Sequence, residues 1–347
     1  MYPAAEKRFI KINRFTIIFL FLVIIAGGVV RSTGSGMGCP DWPKCFNRII
    51  PPTNITQLPE GYEQQYIDGR EKKNQRFANI VEFFGSKETA DKIRHDKSIL
   101  VHEEFNAAKT WTEYINRLVG VVVGFALLFS AIFAFTYSKS KPSIFVWSVL
   151  NVIFVVLQAW LGSIVVSTNL MPWIITVHML LALLIVAVSI YTFYSATTLR
   201  NKNILVSSSS SVLKPLAFFS LVLTIIQVVY GTEIREIIDH LNAEGIDRAN
   251  WINSIGIDYD IHRILGYVIL AITVLFFFLV KNRFAKHTLQ STYSGILLLL
   301  VVIQMLSGIV LVRFDVPPFA QTTHLVLASL FFGTQFYLLL LMNKLKR

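Results

Sequence analysis

The chain has 347 residues, of which 54% are hydrophobic and only 15% charged, with a formal net charge of +11. That balance is too apolar for an ordinary soluble domain. The basic residues fall in short flanks rather than a stripe, so they argue against a nucleic-acid partner.

Hydrophobic runs long enough to cross a hydrocarbon core recur along the chain. In order they cover about Phe15–Val30, Tyr114–Tyr137, Phe145–Val166, Trp173–Tyr194, Leu213–Tyr230, Ile261–Val280, Tyr293–Val312 and Gln321–Met342. A bilayer core offers the backbone no water, so these runs predict helices. The first is too long for a signal-peptide core, and no small-residue cleavage pattern follows it. It is therefore expected to be a true span. The fold class is an all-α membrane protein, with eight transmembrane helices in two pseudo-symmetric four-helix bundles.

The connections divide by charge. Lys7, Arg8, Lys11 and Arg14 precede the first span; Lys139 and Lys141 follow the second. Arg200, Lys202 and Lys214 lie between the fourth and fifth, and Lys281, Arg283 and Lys286 follow the sixth. Lys344, Lys346 and Arg347 close the chain. The positive-inside rule then puts both termini in the cytoplasm. Ser207–Ser211 reads as a flexible linker between an N-terminal half, 1–206, and a C-terminal half, 207–347. A long outer loop, 32–111, follows the first span and has room for short helices. Within it Lys87–Leu100 reads as amphipathic. A shorter loop, about Glu233–Asp260, follows the fifth span, and Ser167–Pro172 and Arg313–Pro318 make tight outer connections.

The halves repeat at a constant separation of 146 residues. Arg117, Gly120, Gln158, Gly162, Pro172 and His178 correspond to Arg263, Gly266, Gln304, Gly308, Pro318 and His324. Apolar matches would mean little; these residue types at one offset indicate a duplication with both copies oriented alike. At the same offset His262 corresponds to Asn116.

His178, His262 and His324 all fall about a turn below the outer surface, where an ionisable group is costly unless partnered. Neutral imidazole is a good axial ligand of haem iron. His262 and His324 would supply a pair. Gly266, one turn from His262, would let a flat macrocycle approach, with close helix packing as the plainer explanation. Zinc, the rival metal, would want further ligands at the same depth. The first half keeps only His178 and adds Glu113, which shares a helix face with Asn116 and Gly120, beside Arg117. Glu113 reads either as a catalytic or charge-stabilising carboxylate beside an open iron, or as a salt-bridge partner of Arg117 alone. Arg31, Arg235 and Arg263 sit at outer span ends, as propionate partners or as interfacial snorkelling groups. Cys39 and Cys45 lie in the outer loop, where an oxidising compartment favours a disulfide; a redox-active pair and a metal pair are the alternatives. His95, His102, His240 and His287 read as solvated, with His102 also able to substitute for the missing ligand.

Three functions are compatible with these residues: a membrane haem enzyme with an open iron, an electron-carrying cytochrome b with one bis-histidine haem, and a haem transporter or chaperone. The one-sided Glu113 favours the enzyme.

The stretch from Arg31 to Cys45, RSTGSGMGCPDWPKC, resembles the signature that follows the first helix in the haem A synthase family. Glu113-Tyr114-Ile115-Asn116-Arg117 is similar to that family's Glu-aromatic-X-His-Arg motif, with Asn in place of His. Thr176-Val177-His178, Ile261-His262-Arg263 and Thr323-His324 resemble its other histidine sites. The resemblance implies oxidation of the C8 methyl of haem O to the formyl of haem A for a terminal oxidase. It implies a haem b held by His262 and His324, substrate haem near His178, Asn116 and Arg117, and Glu113 at the position of the family's essential glutamate. Asn116 departs from two-histidine coordination of the substrate. The second cysteine pair of many bacterial members is absent here. The implied setting is a bacterial inner membrane with haem sites toward the extracytoplasmic side, and haem O synthase and the assembling oxidase as partners. No motif identifies the electron donor, and a homo-oligomer is compatible with the architecture.

Overall fold

A computed structural model describes residues 3–96, 104–168, 170–201 and 212–342. Among them the regular elements are helical: α1 (Ala4–Ser32), α2 (Tyr62–Phe83), α3 (Lys87–Arg94), α4 (Ala107–Ala134), α5 (Pro142–Ser167), α6 (Pro172–Arg200), α7 (Leu213–Ala243), α8 (Arg248–Ser254), α9 (Ile257–Arg283), α10 (Leu289–Arg313) and α11 (Pro318–Leu341). Eight of these, α1, α4, α5, α6, α7, α9, α10 and α11, are long and apolar enough to cross a membrane. They cover the eight expected spans, except that Phe135–Tyr137 tighten into a 3-10 turn after α4 and Met342 caps α11. Ser207–Ser211, His102 and the end of the expected Lys87–Leu100 helix lie outside the described residues.

Several helices outrun their apolar stretches, for a local reason. Beyond Tyr230, α7 keeps Ile234, Ile237, Ile238 and Leu241 at helical spacing, and these pack on Trp251, Ile255 and Val316. The long loop holds more helix than expected. The 22 residues of α2 lie over α5, where Phe77 stacks on Trp173 and meets Trp160 edge-on. Two helices enter through tight turns that repeat at the 146-residue separation. Leu170 N–H bonds Val165 O and Val316 N–H bonds Leu311 O, each at 2.8 Å, with Leu170 and Val316 both in left-handed backbone. Pro172 and Pro318 then open α6 and α11, where a missing N–H costs nothing.

Neighbour relations recur. In the first half α1 packs on α4 and α6, and α5 packs on both α4 and α6; α7, α9, α10 and α11 repeat this order. The halves meet where α1 and α6 pack on α11, and α6 on α7. One apolar cluster, including Leu20, Ile190, Ala217 and Phe331, runs through both. Lipid tails are as apolar as a leucine core, so close approach and polar pairs carry helix contacts here. Thr322 Cγ2 would lie 3.1 Å from a Cβ on Gly28, and the corresponding Thr176 bonds Thr232 at 2.9 Å. Asn13 donates to Thr192 Oγ1 at 2.7 Å and Asn151 to Ser189 Oγ at 2.8 Å.

Candidate functional site

The imidazoles of His262 on α9 and His324 on α11 face each other with ring centroids 6.4 Å apart. Two imidazoles that share one metal ion at about 2.0 Å per nitrogen place their centroids roughly 6 Å apart, so this spacing fits an ion between them. Glycines make room for the rings. A Cβ on Gly231 of α7 would lie 3.4 Å from His262 Cε1, and one on Gly308 of α10 would lie 3.5 Å from His324 Cε1. Gly266 faces Gln227 and Met305 rather than a ring.

Hydrogen bonds set the ring orientations unequally. Ser307 Oγ is 2.7 Å from the Gln304 carbonyl and 2.8 Å from His324 Nδ1. A carbonyl only accepts, so the hydroxyl proton goes to Gln304 and Ser307 accepts from His324 Nδ1–H. Nε2 of His324 is then the bare lone pair, the form a metal needs. Gln227 Nε2 donates to the His262 carbonyl at 2.8 Å, while His262 Nδ1 makes no well-aligned hydrogen bond and has the Gln227 main chain as a loose partner. The Oε1 atoms of Gln227 and Gln304 are buried and without a partner there too. Two part-buried imidazoles in apolar surroundings are a donor set that fits a haem iron. Among the described residues no group of three or more His, Cys, Asp or Glu side chains is placed to hold a metal.

The first half repeats this frame with other side chains. His178 rests on Gly162, whose Cβ would lie 3.4 Å from Cε1, and Gln158 Nε2 donates to the His178 carbonyl at 3.0 Å. Asn116 on α4, at the place of His262, points at Gly27 of α1, with Oδ1 3.9 Å from a Cβ placed there and without a partner among the described residues. Nothing lies within 4 Å of a Cβ on Gly120. His178 Nδ1 also lacks a hydrogen-bond partner among the described residues.

Glu113, one turn before Asn116 and Arg117, is buried and turned to the disulfide loop. Its Oε2 accepts Cys39 N–H at 2.6 Å and its Oε1 pairs with Arg117. Arg117 also donates to the carbonyls of Asp41 (2.6 Å), Lys44 (2.9 Å) and Cys39 (3.0 Å). Cys39 and Cys45 form a disulfide. Gly38 lets the loop reach α4: a Cβ there would sit 2.5 Å from Lys109 O. Behind the loop Phe46 packs edge-on against Tyr62, Tyr66 and Phe105. Burial and the nearby Asp41 push the Tyr66 hydroxyl up to about 12.

The three arginines separate. Arg31 on α1 and Arg235 on α7 both bind Asp239, at 3.1 and 2.7 Å, and Arg235 also donates to Gln321 of α11 at 2.6 Å. This network spans the two halves, and Nε of each arginine is buried without a partner among the described residues. Arg263 pairs with Asp260 at 3.0 Å and lies over the Tyr259 ring. His95 caps α3 through the Asp91 carbonyl, and His240 lies 4.0 Å from Glu236; both are exposed, as is His287.

Sequence reasoning missed Ser307, Gln227, Gly231 and Asp239. Ser307 could have been found as the neighbour of the matched Gly308. Gly231, Gln227 and Asp239 belong to α7, which has no counterpart at the 146-residue offset.

Over 248 residues the chain is 25% identical to Heme A synthase of Shewanella oneidensis, covering 70% of this chain and 62% of that one, so it spans under two thirds of that relative. It is 23% identical over 334 residues to Heme A synthase of Rickettsia africae, covering 90% and 91% of the two chains. With that of Flavobacterium johnsoniae it is 21% identical over 357 residues, covering 94% and 95%. Residues 12–336 match the COX15-CtaA family, described as cytochrome oxidase assembly protein. With eight apolar helices, a disulfide-closed loop on α4 and a match along almost all of its length, the chain belongs to the COX15-CtaA family of cytochrome oxidase assembly proteins.

Proposed function

We propose that the chain is a haem A synthase that oxidises the C8 methyl of haem O to a formyl group, a four-electron step whose oxygen atom and electron acceptor come from outside the chain. Its C-terminal half holds a resident haem b through His262 and His324, and its N-terminal half receives haem O at His178. The observation that carries this reading is the unequal repeat. One half presents two imidazoles 6.4 Å apart, and the other keeps His178 but carries Asn116 at the place of His262. A resident haem, when bound, supplies one-electron iron chemistry.

The chain's own groups divide the remaining work. His178 binds the substrate from one side, and Asn116 leaves the other side without an imidazole. Glu113 and Arg117 hold the disulfide loop against α4, one turn from Asn116 on the same helix. Arg31 and Arg235 share one carboxylate, Asp239, so a positive charge is left over for a propionate at the boundary of the halves. Both sites sit at the extracytoplasmic end of a bacterial inner-membrane protein, on the side opposite the basic flanks. Haem O synthase and the assembling oxidase are the partners this role requires.

One observation favours an electron-carrying cytochrome b instead: both Glu113 oxygens are engaged by Cys39 and Arg117. Expressing the chain with a haem O supply and analysing the extracted haems separates the readings. Haem A that disappears in Glu113→Ala, while the low-spin haem signal persists, supports the synthase. Haem b with no modified product supports the carrier, and unaltered haem O passed to an acceptor supports a transporter.

A further inference from the structure

The two histidines that end equivalent turns of the repeat, His178 and His324, differ in one contact. Each opens from a proline-started helix, rests its Cε1 on a glycine of the preceding helix, Gly162 or Gly308, and lies beside a glutamine, Gln158 or Gln304. The residue before that glycine is Ser307 in the second half and Leu161 in the first. Ser307 accepts the Nδ1–H of His324 at 2.8 Å. Leu161 offers no acceptor, and His178 Nδ1 is buried with no hydrogen-bond partner among the described residues.

A hydrogen bond from the distal nitrogen of a ligating imidazole fixes its tautomer and orientation and raises its basicity; its loss typically costs 10–100-fold in metal affinity. The Ser307 proton is itself committed to the Gln304 carbonyl at 2.7 Å, so the acceptor lone pair is aimed at the ring. An imidazole without such a partner keeps both tautomers and more freedom to rotate away from iron.

We infer that Ser307 is a positioning residue that makes the His324 site retain its haem, and that Leu161 at the matching place leaves His178 a releasable ligand. This rests on the reading of the two halves as a resident-haem site and a substrate site, and it supplies what that division requires. A cofactor must stay through many turnovers, whereas a haem substrate must leave as product.

The test is haem loss from the purified full-length protein to an excess of apomyoglobin, after loading with haemin, followed optically together with a redox titration. The parent protein should lose haem in two phases, a slow one carrying the low-spin spectrum and a fast one. Ser307→Ala should speed the slow phase by about 10-fold or more and raise the midpoint potential, with the spectrum still low-spin. Ser307→Thr, which keeps the hydroxyl, should restore both. Leu161→Ser should slow the fast phase while leaving the slow phase alone. An unchanged slow phase and midpoint in Ser307→Ala, with the low-spin spectrum intact, would overturn the inference and leave the His262/His324 assignment standing. An unchanged fast phase in Leu161→Ser would overturn its second half. A parent protein that takes up haemin without any low-spin spectrum would overturn the underlying reading itself.

Discussion

Asn116 and His262 hold the same place in the two halves. Each projects from the first third of its helix toward a glycine of the helix that opens its half, Gly27 for Asn116 and Gly231 for His262. The difference between the halves is therefore one of side-chain chemistry within a shared backbone frame.

Restoring the imidazole tests that equivalence. Asn116→His should add a second low-spin bis-histidine haem to the purified protein, read as a higher haem-to-protein ratio by pyridine haemochrome, and should depress formation of haem A. A variant with the parent ratio and spectrum would show that His178 and position 116 do not face a common centre.

The second-half pair should behave as a unit. His262→Ala and His324→Ala are each expected to abolish the low-spin optical signal, because one remaining imidazole cannot hold a six-coordinate iron. His178→Ala should leave that signal in place. Survival of the signal in both of the first two variants would remove the ligand assignment.

Glu113→Gln should separate anchoring from charge. The amide oxygen can still accept Cys39 N–H, but the ion pair with Arg117 is gone. A drop in haem A formation with the disulfide still protected from mild reductant would assign the negative charge itself to the reaction. Full activity would assign Glu113 to loop anchoring only.

Gly38→Ala should displace the disulfide loop. Its Cβ would meet Lys109 O at 2.5 Å and Thr110 N at 2.8 Å, both backbone atoms that cannot turn aside. Overpacking of this kind costs about 1–3 kcal/mol. Faster reduction of Cys39–Cys45 and a lower Tm in detergent are the expected readings; parent-like rates would show that the loop sits clear of α4.

Asp239→Asn should loosen the contact between the halves modestly. Arg31 and Arg235 both lose their carboxylate, but Asp239 is half-exposed, so the total is roughly 1 kcal/mol. A small fall in Tm with lowered haem retention would fit propionate-binding arginines held in place by Asp239. A fall in Tm with unchanged retention would confine the network to structure.

Much of the fold was legible because the bilayer imposes a simple rule on composition. Eight apolar runs gave eight helices, and the Pro172 and Pro318 turns marked where two of them start. The disulfide partners were legible because Cys39 and Cys45 are the two cysteines of the chain and stand close together in one outer loop. The length of α2 and the extension of α7 to Ala243 were not, since both rest on packing of polar-rich helices against Trp160, Trp173 or Trp251 rather than on hydropathy.

Sequence by itself determined the spans, the repeat and the identity of the three intramembrane histidines, because residue type and spacing are local properties of the chain. Tertiary structure alone decided that His262 and His324 face each other and that Glu113 is spent partly on Cys39. It also decided that Ser307 serves one histidine while Asp239 ties Arg31 to Arg235. Those relations join helices far apart in the chain. They depend on how one helix is rotated against another, a choice that apolar surfaces leave nearly free and that glycines, hydroxyls and paired charges settle.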